Sequence, residues 1–487
     1  MSDAFEKRIK KHIIGKPHRF LAVVPLGFEQ TLINELEIIS VETVTDHPHI
    51  VSDGKVEFTA KITEAWKAVA YSRIANRVLM HIADFKAENF RELEKKASEI
   101  PWELYLNKRT GYALQTKDER FLGNVLQSEA HQAKSKNPVN SSSSINIHVT
   151  CKHSRLYHSD AIAERLEKII SKAYSPLKAS ETSDLTPQAS YPQHIYVTLI
   201  DDRCTIWLDL AGEELYKRGH ERFVNDAPLK ETIAAAMLFE AFRMVSPRNI
   251  ASDTPYFLLP TSYCLLDLMA GSGTFSLEAA YIANKIIPGT CRDFALKHQP
   301  AFKEATWNYI VRQDNQNSVI LSEAPQGAKS KNLKIITSDI SERAIEIIKH
   351  NEESSPLASI DPAPINPQLK DFFSYTAKEI ADTSKKATPI IVLNPPYGRR
   401  LDFDAPKLYT KIGRKLAELA HDLEAFGKNL TVAILAPKDD SREGSKYTCT
   451  SNLLQECPAL SPKHNISAKQ IVTSHGGLTL NTFIAKI

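Results

Sequence analysis

Residues 390–397 read Ile-Ile-Val-Leu-Asn-Pro-Pro-Tyr. Four apolar residues in succession predict a buried strand, and paired prolines cannot continue one. The prolines stiffen the turn and remove competing N–H donors. The Asn394 amide oxygen and the Pro395 carbonyl are left as adjacent acceptors, with Pro396 rigidifying the turn and Tyr397 beside it. Two adjacent acceptors match one group well, an –NH₂ on a planar ring. Such an amine is a poor nucleophile because its lone pair is delocalised. Accepting both N–H bonds draws the nitrogen toward pyramidal geometry and aims the lone pair, so alignment is the main contribution needed. Tyr397 would stack on the base, flipped out if it was paired. The alternative reading is a proline turn that caps a strand, and Gly271, Gly273 and Asp339 in the same half of the chain weigh against it.

A second motif lies in the same half of the chain. The stretch Leu-Leu-Asp-Leu-Met-Ala-Gly-Ser-Gly-Thr-Phe-Ser, residues 265–276, places an apolar strand, then Gly271-Ser272-Gly273, then a helix. A doubly wound sheet binds its ligand at such a point, and the helix N-terminus offers free N–H groups to an anion. The dinucleotide pattern wants a third glycine where Ser276 stands, and the phosphate loop wants a lysine where Thr274 stands. Asp339, at the end of the next strand, could hold a ribose diol, or serve as a helix N-terminal carboxylate with Ser341 as cap. Its distance from the loop exceeds the usual offset of about 20 residues, so an extra segment intervenes. Two glycines, one strand-end acid and no phosphate-specific residue suit S-adenosylmethionine, which carries a ribose and a carboxylate but no phosphate. Asp371, in Leu-Lys-Asp-Phe-Phe, could accept from the adenine amine or be a solvated loop residue.

The elements that must carry these motifs begin near residue 222. A helix from residue 227, with Pro228 near its first turn, precedes strands at 263–268, 333–338, 369–373, 389–394 and 430–436. Helices alternate with them, which predicts a mostly parallel α/β sheet of Rossmann-like type. Two strands around Gly476-Gly477 predict an antiparallel hairpin closing it. Upstream, residues 18–105 mix strands and helices as a small α+β subdomain. Residues 106–213 form a second α+β unit, with a helix capped by Ser159 and a hairpin turn at Asp201-Asp202-Arg203. Polar stretches at 133–144, 178–192, 314–331 and 352–368 are expected as loops. Residues 1–17 are expected as a basic arm, either solvated or RNA-binding.

The 487 residues imply two or three domains. A net charge of +3 excludes a globally basic nucleic-acid coat. No apolar run reaches the roughly 18 residues of a membrane helix, and the first residues lack a signal-peptide core. The six cysteines form no C-x-x-C pair and no zinc spacing, which points to free thiols in a reducing cytoplasm and to no metal.

These motifs resemble those of bacterial 23S rRNA guanine-N2-methyltransferases that carry a THUMP domain. The resemblance rests on residues 267–280, on Ser-Asp-Ile-Ser at 338–341, on residues 369–373, on Asn-Pro-Pro-Tyr-Gly-Arg-Arg-Leu at 394–401, and on the segments 215–238 and 288–307. It implies a ferredoxin-like subdomain at 18–105, a THUMP-like RNA-binding domain at 106–213 and a methyltransferase domain at 214–487. It places Asp267, Met269, Ala270, Gly271, Ser272, Gly273 and Thr274 on the cofactor loop. Asp339 and Ile340 fall at the ribose, Asp371 and Phe372 at the adenine. Asn394, Pro395, Pro396 and Tyr397 fall on the catalytic motif, with Asn394 also at the cofactor. Lys230, Glu231 and Thr232 match a segment bordering the pocket. Thr337 stands where the family usually has glycine, Ser341 where it has a second acid, and Arg399 where an acid is common. The implied form lacks a second fused methyltransferase domain. The implied substrate is structured RNA, preferably 23S rRNA, with tRNA, an N6-adenine target, or a role as a non-enzymatic assembly factor as alternatives.

Overall fold

The computed structural model describes the chain except residues 1–2, 45–46, 108–144, 175–190, 225–227, 246–262, 321–332, 398–403 and 441–446. Arg399, Arg400 and the polar tract 133–144 lie outside the described residues.

The amino-terminal elements are α1 (Asp3–Ile9), β1 (His18–Val23), α2 (Glu29–Ile38), β2 (His49–Ser52), β3 (Lys55–Ala60), α3 (Ile62–Tyr71), β4 (Arg77–Lys86) and α4 (Phe90–Ser98). Next come β5 (Ile145–Lys152), α5 (Ser159–Tyr174), β6 (Gln193–Ile200) and β7 (Arg203–Asp209). The remainder runs α6 (Glu231–Val245), β8 (Tyr263–Asp267), α7 (Thr274–Ala283), α8 (Glu304–Ile320), β9 (Leu333–Asp339), α9 (Glu342–Glu353), β10 (Pro367–Leu369) and α10 (Ala377–Ser384). It ends with β11 (Thr388–Leu393), α11 (Ala405–Glu424), β12 (Thr431–Pro437), α12 (Cys449–Glu456), β13 (Lys469–His475) and β14 (Leu478–Lys486).

The chain divides into two compact units. One comprises residues 1–18, 79–212 and 294–304. Here β6 pairs antiparallel with β7 and parallel with β5, and α4 and α5 bury Leu93, Ala97, Ile162 and Leu166 against Ile195, Val197 and Leu199. The hairpin turn falls at Asp201 and Asp202, both at positive φ, a conformation that Asp tolerates better than most residues. The expected basic arm is helical: Ile9 and Ile13 are buried, and Arg8 pairs with Glu103. Two apolar residues four apart supply the buried stripe that its charge count concealed.

The other unit comprises residues 19–78, 213–293 and 305–487. Its seven-stranded sheet has the order β10-β9-β8-β11-β12-β14-β13. The pairings are parallel from β10 to β12, and β14 and β13 close the sheet antiparallel around Gly476-Gly477. Residues 390–393 and 432–436 are fully buried, as expected of central strands covered on both faces. Four local expectations shift. Helix α6 begins at Glu231, so Pro228 precedes it, and the Pro228 carbonyl is hydrogen-bonded to His475 Nε2. Ser159 is the first residue of α5, and the His158 carbonyl receives the Ile162 N–H. The polar run from 314 is helical as far as Ile320, and β10 ends at Leu369, two residues before Asp371.

A buried ion network ties residues 19–78 to the parallel sheet within this unit. Glu278, on α7, accepts from Arg218 at 2.9 and 3.2 Å and from Arg73 at 3.3 Å. Burial opposes its charge, yet the two guanidinium groups hold its carboxyl below the usual range. Arg218 also donates to the carbonyls of Leu215 and Arg73. On the far side of Arg73, Glu35 accepts from Ser72 Oγ and from the Arg73 and Ile74 N–H groups. Removing one partner from such a cluster leaves charges buried without compensation. Glu278→Ala should therefore cost about 3–5 kcal/mol of stability in urea unfolding, and a loss under 1 kcal/mol would show the network to be dispensable.

Candidate active site

The glycine loop leaves β8 at Asp267 and enters α7 at Thr274. Gly271 and Gly273 both have positive φ, +55° and +76°. A Cβ on Gly273 would lie 2.9 Å from Ile348 of α9, so that glycine permits close packing behind the loop. A Cβ on Gly271 would meet nothing within 4 Å, so this side of the loop faces open space. Asp339, at the end of the neighbouring strand β9, accepts from Gly271 N and from Ser341 N, each at 2.9 Å. Both of its oxygens keep lone pairs for further donors. Ser341 caps α9 by accepting from Ala344 N, the role sequence reasoning offered it.

Asp267 is wholly buried. Its Oδ2 accepts from Ser276 N and Oγ, and Ser276 Oγ meets Thr337 Oγ1 at 2.7 Å. The two departures from glycine, Ser276 and Thr337, thus form one hydrogen-bonded pair between α7 and β9. Asp267 Oδ1 is buried without a partner among the described residues. Burial pushes the carboxyl up to about 7.

Strand β11 lies beside β8, with Val392 opposite Asp267, so Asn394 emerges at the edge that bears the glycine loop. Asn394 Oδ1 is buried and has no hydrogen-bond donor among the described residues. Pro395 is buried and Pro396 exposed. Tyr397 is only 8% exposed, and its hydroxyl also lacks a partner among the described residues. Burial pushes that phenol well above its ordinary range. The Tyr397 carbonyl accepts from the Tyr447 hydroxyl, which tethers the turn to the segment after β12. Tyr409 donates to the Leu435 carbonyl at 3.0 Å.

The remaining expected residues divide. Asp371 accepts from Phe373 N and caps a short turn in which Phe372 is buried, and Ile340 is exposed. Met269 and Ala270 are half-buried, whereas Ser272 and Thr274 are buried. Thr232 is buried with its hydroxyl donated to Asn76 Oδ1 at 2.8 Å. The Lys230 ammonium lies 4.6 Å over the Tyr216 ring. Sequence reasoning missed Arg222, whose guanidinium pairs with Glu231 and donates to Ser272 and Thr274, and Asn351, which accepts from Phe223 N and donates to the Ser272 carbonyl. Arg222 lies inside the segment 215–238 that carries the resemblance, but nothing in that segment singles it out; Asn351 lies beyond the Ser-Asp-Ile-Ser motif and is marked by none.

An acceptor pair of Asp339 oxygens, open space before Gly271 and a donorless amide oxygen fit a ligand with a diol and an amine-bearing planar ring nearby. Asp267 supplies a pH test of the loop. Its folded-state carboxyl keeps its proton to about pH 7, whereas the unfolded chain releases it near pH 4. The folded state binds the extra proton between these values, so stability falls as pH rises through that window. Asp267→Asn cannot titrate. Its unfolding free energy, relative to wild type, should climb by of order 1–3 kcal/mol between about pH 5 and 8, and a flat difference would refute the assignment.

The RMKL-like methyltransferase domain family matches residues 260–434, and the RlmL ferredoxin-like domain matches residues 19–79. The Bacillus subtilis protein YpsC, named for an RNA methyltransferase activity, is 27% identical over 388 residues, spanning 79% of this chain and 80% of its own. The ribosomal RNA large subunit methyltransferase K/L of Shewanella baltica is 26% identical over 399 residues, 81% of this chain. The chain spans about half the length of that relative, 46%. The crystal structure of SMU.472 with SAH overlays with a TM-score of 0.64 at 21% identity, covering 96% of this chain and 98% of that one. Residues 260–434 are therefore an RMKL-like methyltransferase domain, and residues 19–79 are an RlmL ferredoxin-like domain.

Proposed function

We propose that this protein methylates the exocyclic N2 amine of a guanine in large-subunit ribosomal RNA. The observation that carries the reading is the buried Asn394 Oδ1 beside the glycine loop, which has no donor among the described residues. A buried acceptor without a donor is costly, so a donor is expected to arrive with the substrate. The base amine supplies one. The names of the K/L relatives favour ribosomal RNA.

In this reading Asp339 holds the ribose hydroxyls, the glycine loop and the α7 N-terminus receive the methionine end, and Asp371 with Phe372 borders the adenine. S-adenosylmethionine, when bound, supplies a methyl group on a positive sulfur. Asn394 and the Pro395 carbonyl accept the two N–H bonds of the target amine and direct its lone pair. Pro396 keeps the turn from relaxing, and Lys230 and Thr232 border the pocket. Tyr397 stacks on the base, which requires its ring to swing out of the buried position. The alkylated nitrogen is strongly acidic and sheds its extra proton to solvent, so no side-chain base is needed. Residues 106–213 act as a THUMP-like unit that holds RNA, in a cytoplasmic protein.

Asn394→Ala should abolish transfer while leaving cofactor affinity within a few-fold; transfer near the wild-type rate would refute the acceptor role. Asp339→Ala should weaken S-adenosylmethionine binding by about tenfold or more, read by calorimetry. The target test is digestion of large-subunit rRNA after reaction and identification of the methylated nucleoside. N2-methylguanosine is expected; N6-methyladenosine would overturn the guanine assignment. Binding of RNA with no transfer would favour an assembly factor.

A further inference from the structure

Arg222 lies nine residues before its ion-pair partner, Glu231. Its guanidinium is packed against the cofactor loop. Nη1 pairs with Glu231, and Nη2 donates to Thr274 Oγ1 and, at 3.3 Å, to Ser272 Oγ. A guanidinium carries five N–H donors in a fixed fork. The Nε–H is buried and has no acceptor among the described residues. Burial pulls the group down to about 10, which leaves it charged at neutral pH.

The segment that bears Arg222 is itself fastened. Asn351, wholly buried on α9, accepts from Phe223 N at 2.7 Å and donates to the Phe223 carbonyl at 2.9 Å and to the Ser272 carbonyl at 3.2 Å. The Phe223 ring stacks on His350 with centroids 3.7 Å apart. One asparagine therefore holds the Arg222 segment and the glycine loop together. The other cations of the segment are engaged elsewhere: Arg218 on Glu278, Lys230 over Tyr216.

Three features then meet at one end of the loop. They are a cation with an unspent N–H, the N-terminus of α7, where Gly273 supplies no side-chain cap, and the open space before Gly271. The first two favour an anion, and the third gives it room. Asp339, bonded to Gly271 N, is an anion itself and suits the hydroxyl end of a ligand instead. We propose that Arg222 is the residue that reads the amino-acid end of the cofactor, keeping its Nε–H for the ligand carboxylate. This inference rests on the S-adenosylmethionine site described above.

The test compares two ligands that differ at that end. S-adenosylhomocysteine carries the carboxylate; 5′-methylthioadenosine lacks the amino-acid portion. Both are titrated by calorimetry into full-length wild type, Arg222→Gln and Arg222→Lys. Both variants should bind S-adenosylhomocysteine about tenfold or more weakly, with methylthioadenosine affinity within about twofold. Equal weakening of both ligands would mean that Arg222 only shapes the loop, and would overturn the proposal; so would no weakening of either. If Arg222→Gln fails to fold by circular dichroism, Arg222→Lys decides, because it retains the cation beside Glu231 and loses the fork. Failure of wild type to bind S-adenosylhomocysteine would instead overturn the cofactor site itself.

Discussion

The carboxylate of Glu278, closed between Arg218 and Arg73, sits at the middle of α7 and sets where that helix lies. A buried carboxylate facing two guanidinium groups tolerates little displacement, since each ångström of separation exposes an uncompensated charge to a low-dielectric interior. The N-terminus of the same helix is the end of the glycine loop. Arg73 belongs to the ferredoxin-like residues, and its own backbone is held by Glu35. The ferredoxin-like segment therefore has a mechanical part in the placement of the glycine loop: it fixes the helix into which that loop runs.

The loop is held on three further sides. Asp267 and the Ser276–Thr337 pair anchor it from below, Ile348 packs behind Gly273, and Asn351 ties Ser272 to the segment after residue 220. Ser276 and Thr337 show how paired departures can conserve an arrangement. A hydroxyl on β9 would be buried without a partner were α7 to carry glycine at 276, and the two hydroxyls satisfy each other. Four restraints on a short loop reduce the ordering that ligand binding must otherwise accomplish, which is the physical content of preorganisation. The Asn-Pro-Pro-Tyr turn is restrained less by bonds than by proline geometry, with Tyr447 as its tether.

Much of this was legible in the residues. The alternation of apolar runs with amphipathic segments is a local property, and it predicted the order of strands and helices, the parallel sheet and the closing hairpin. Asn-Pro-Pro-Tyr and the glycine pair are contiguous, so their chemistry could be argued from spacing. Boundaries were less legible. Pro228 and Ser159 carry helix-start signals that the chain uses one to three residues away, because tertiary contacts such as His475 with the Pro228 carbonyl compete with local capping. The amino-terminal arm was obscured because two buried isoleucines among five Lys and Arg residues count for little in composition, yet decide its packing.

The sequence by itself determined which atoms can accept an amine, which strand ends carry acids and which glycines permit a left-handed loop, since these depend on residue type and near neighbours. Only the tertiary structure decided that Asn394 Oδ1 lacks a donor among the described residues, that the Thr232 hydroxyl is taken by Asn76, that Tyr397 is buried, and that Arg222 reaches the loop. Hydrogen-bond satisfaction and burial are properties of surroundings assembled from distant parts of the chain. Arg222 and Thr274 are 52 residues apart and Arg73 and Glu278 are 205 apart, and no local pattern records such a meeting.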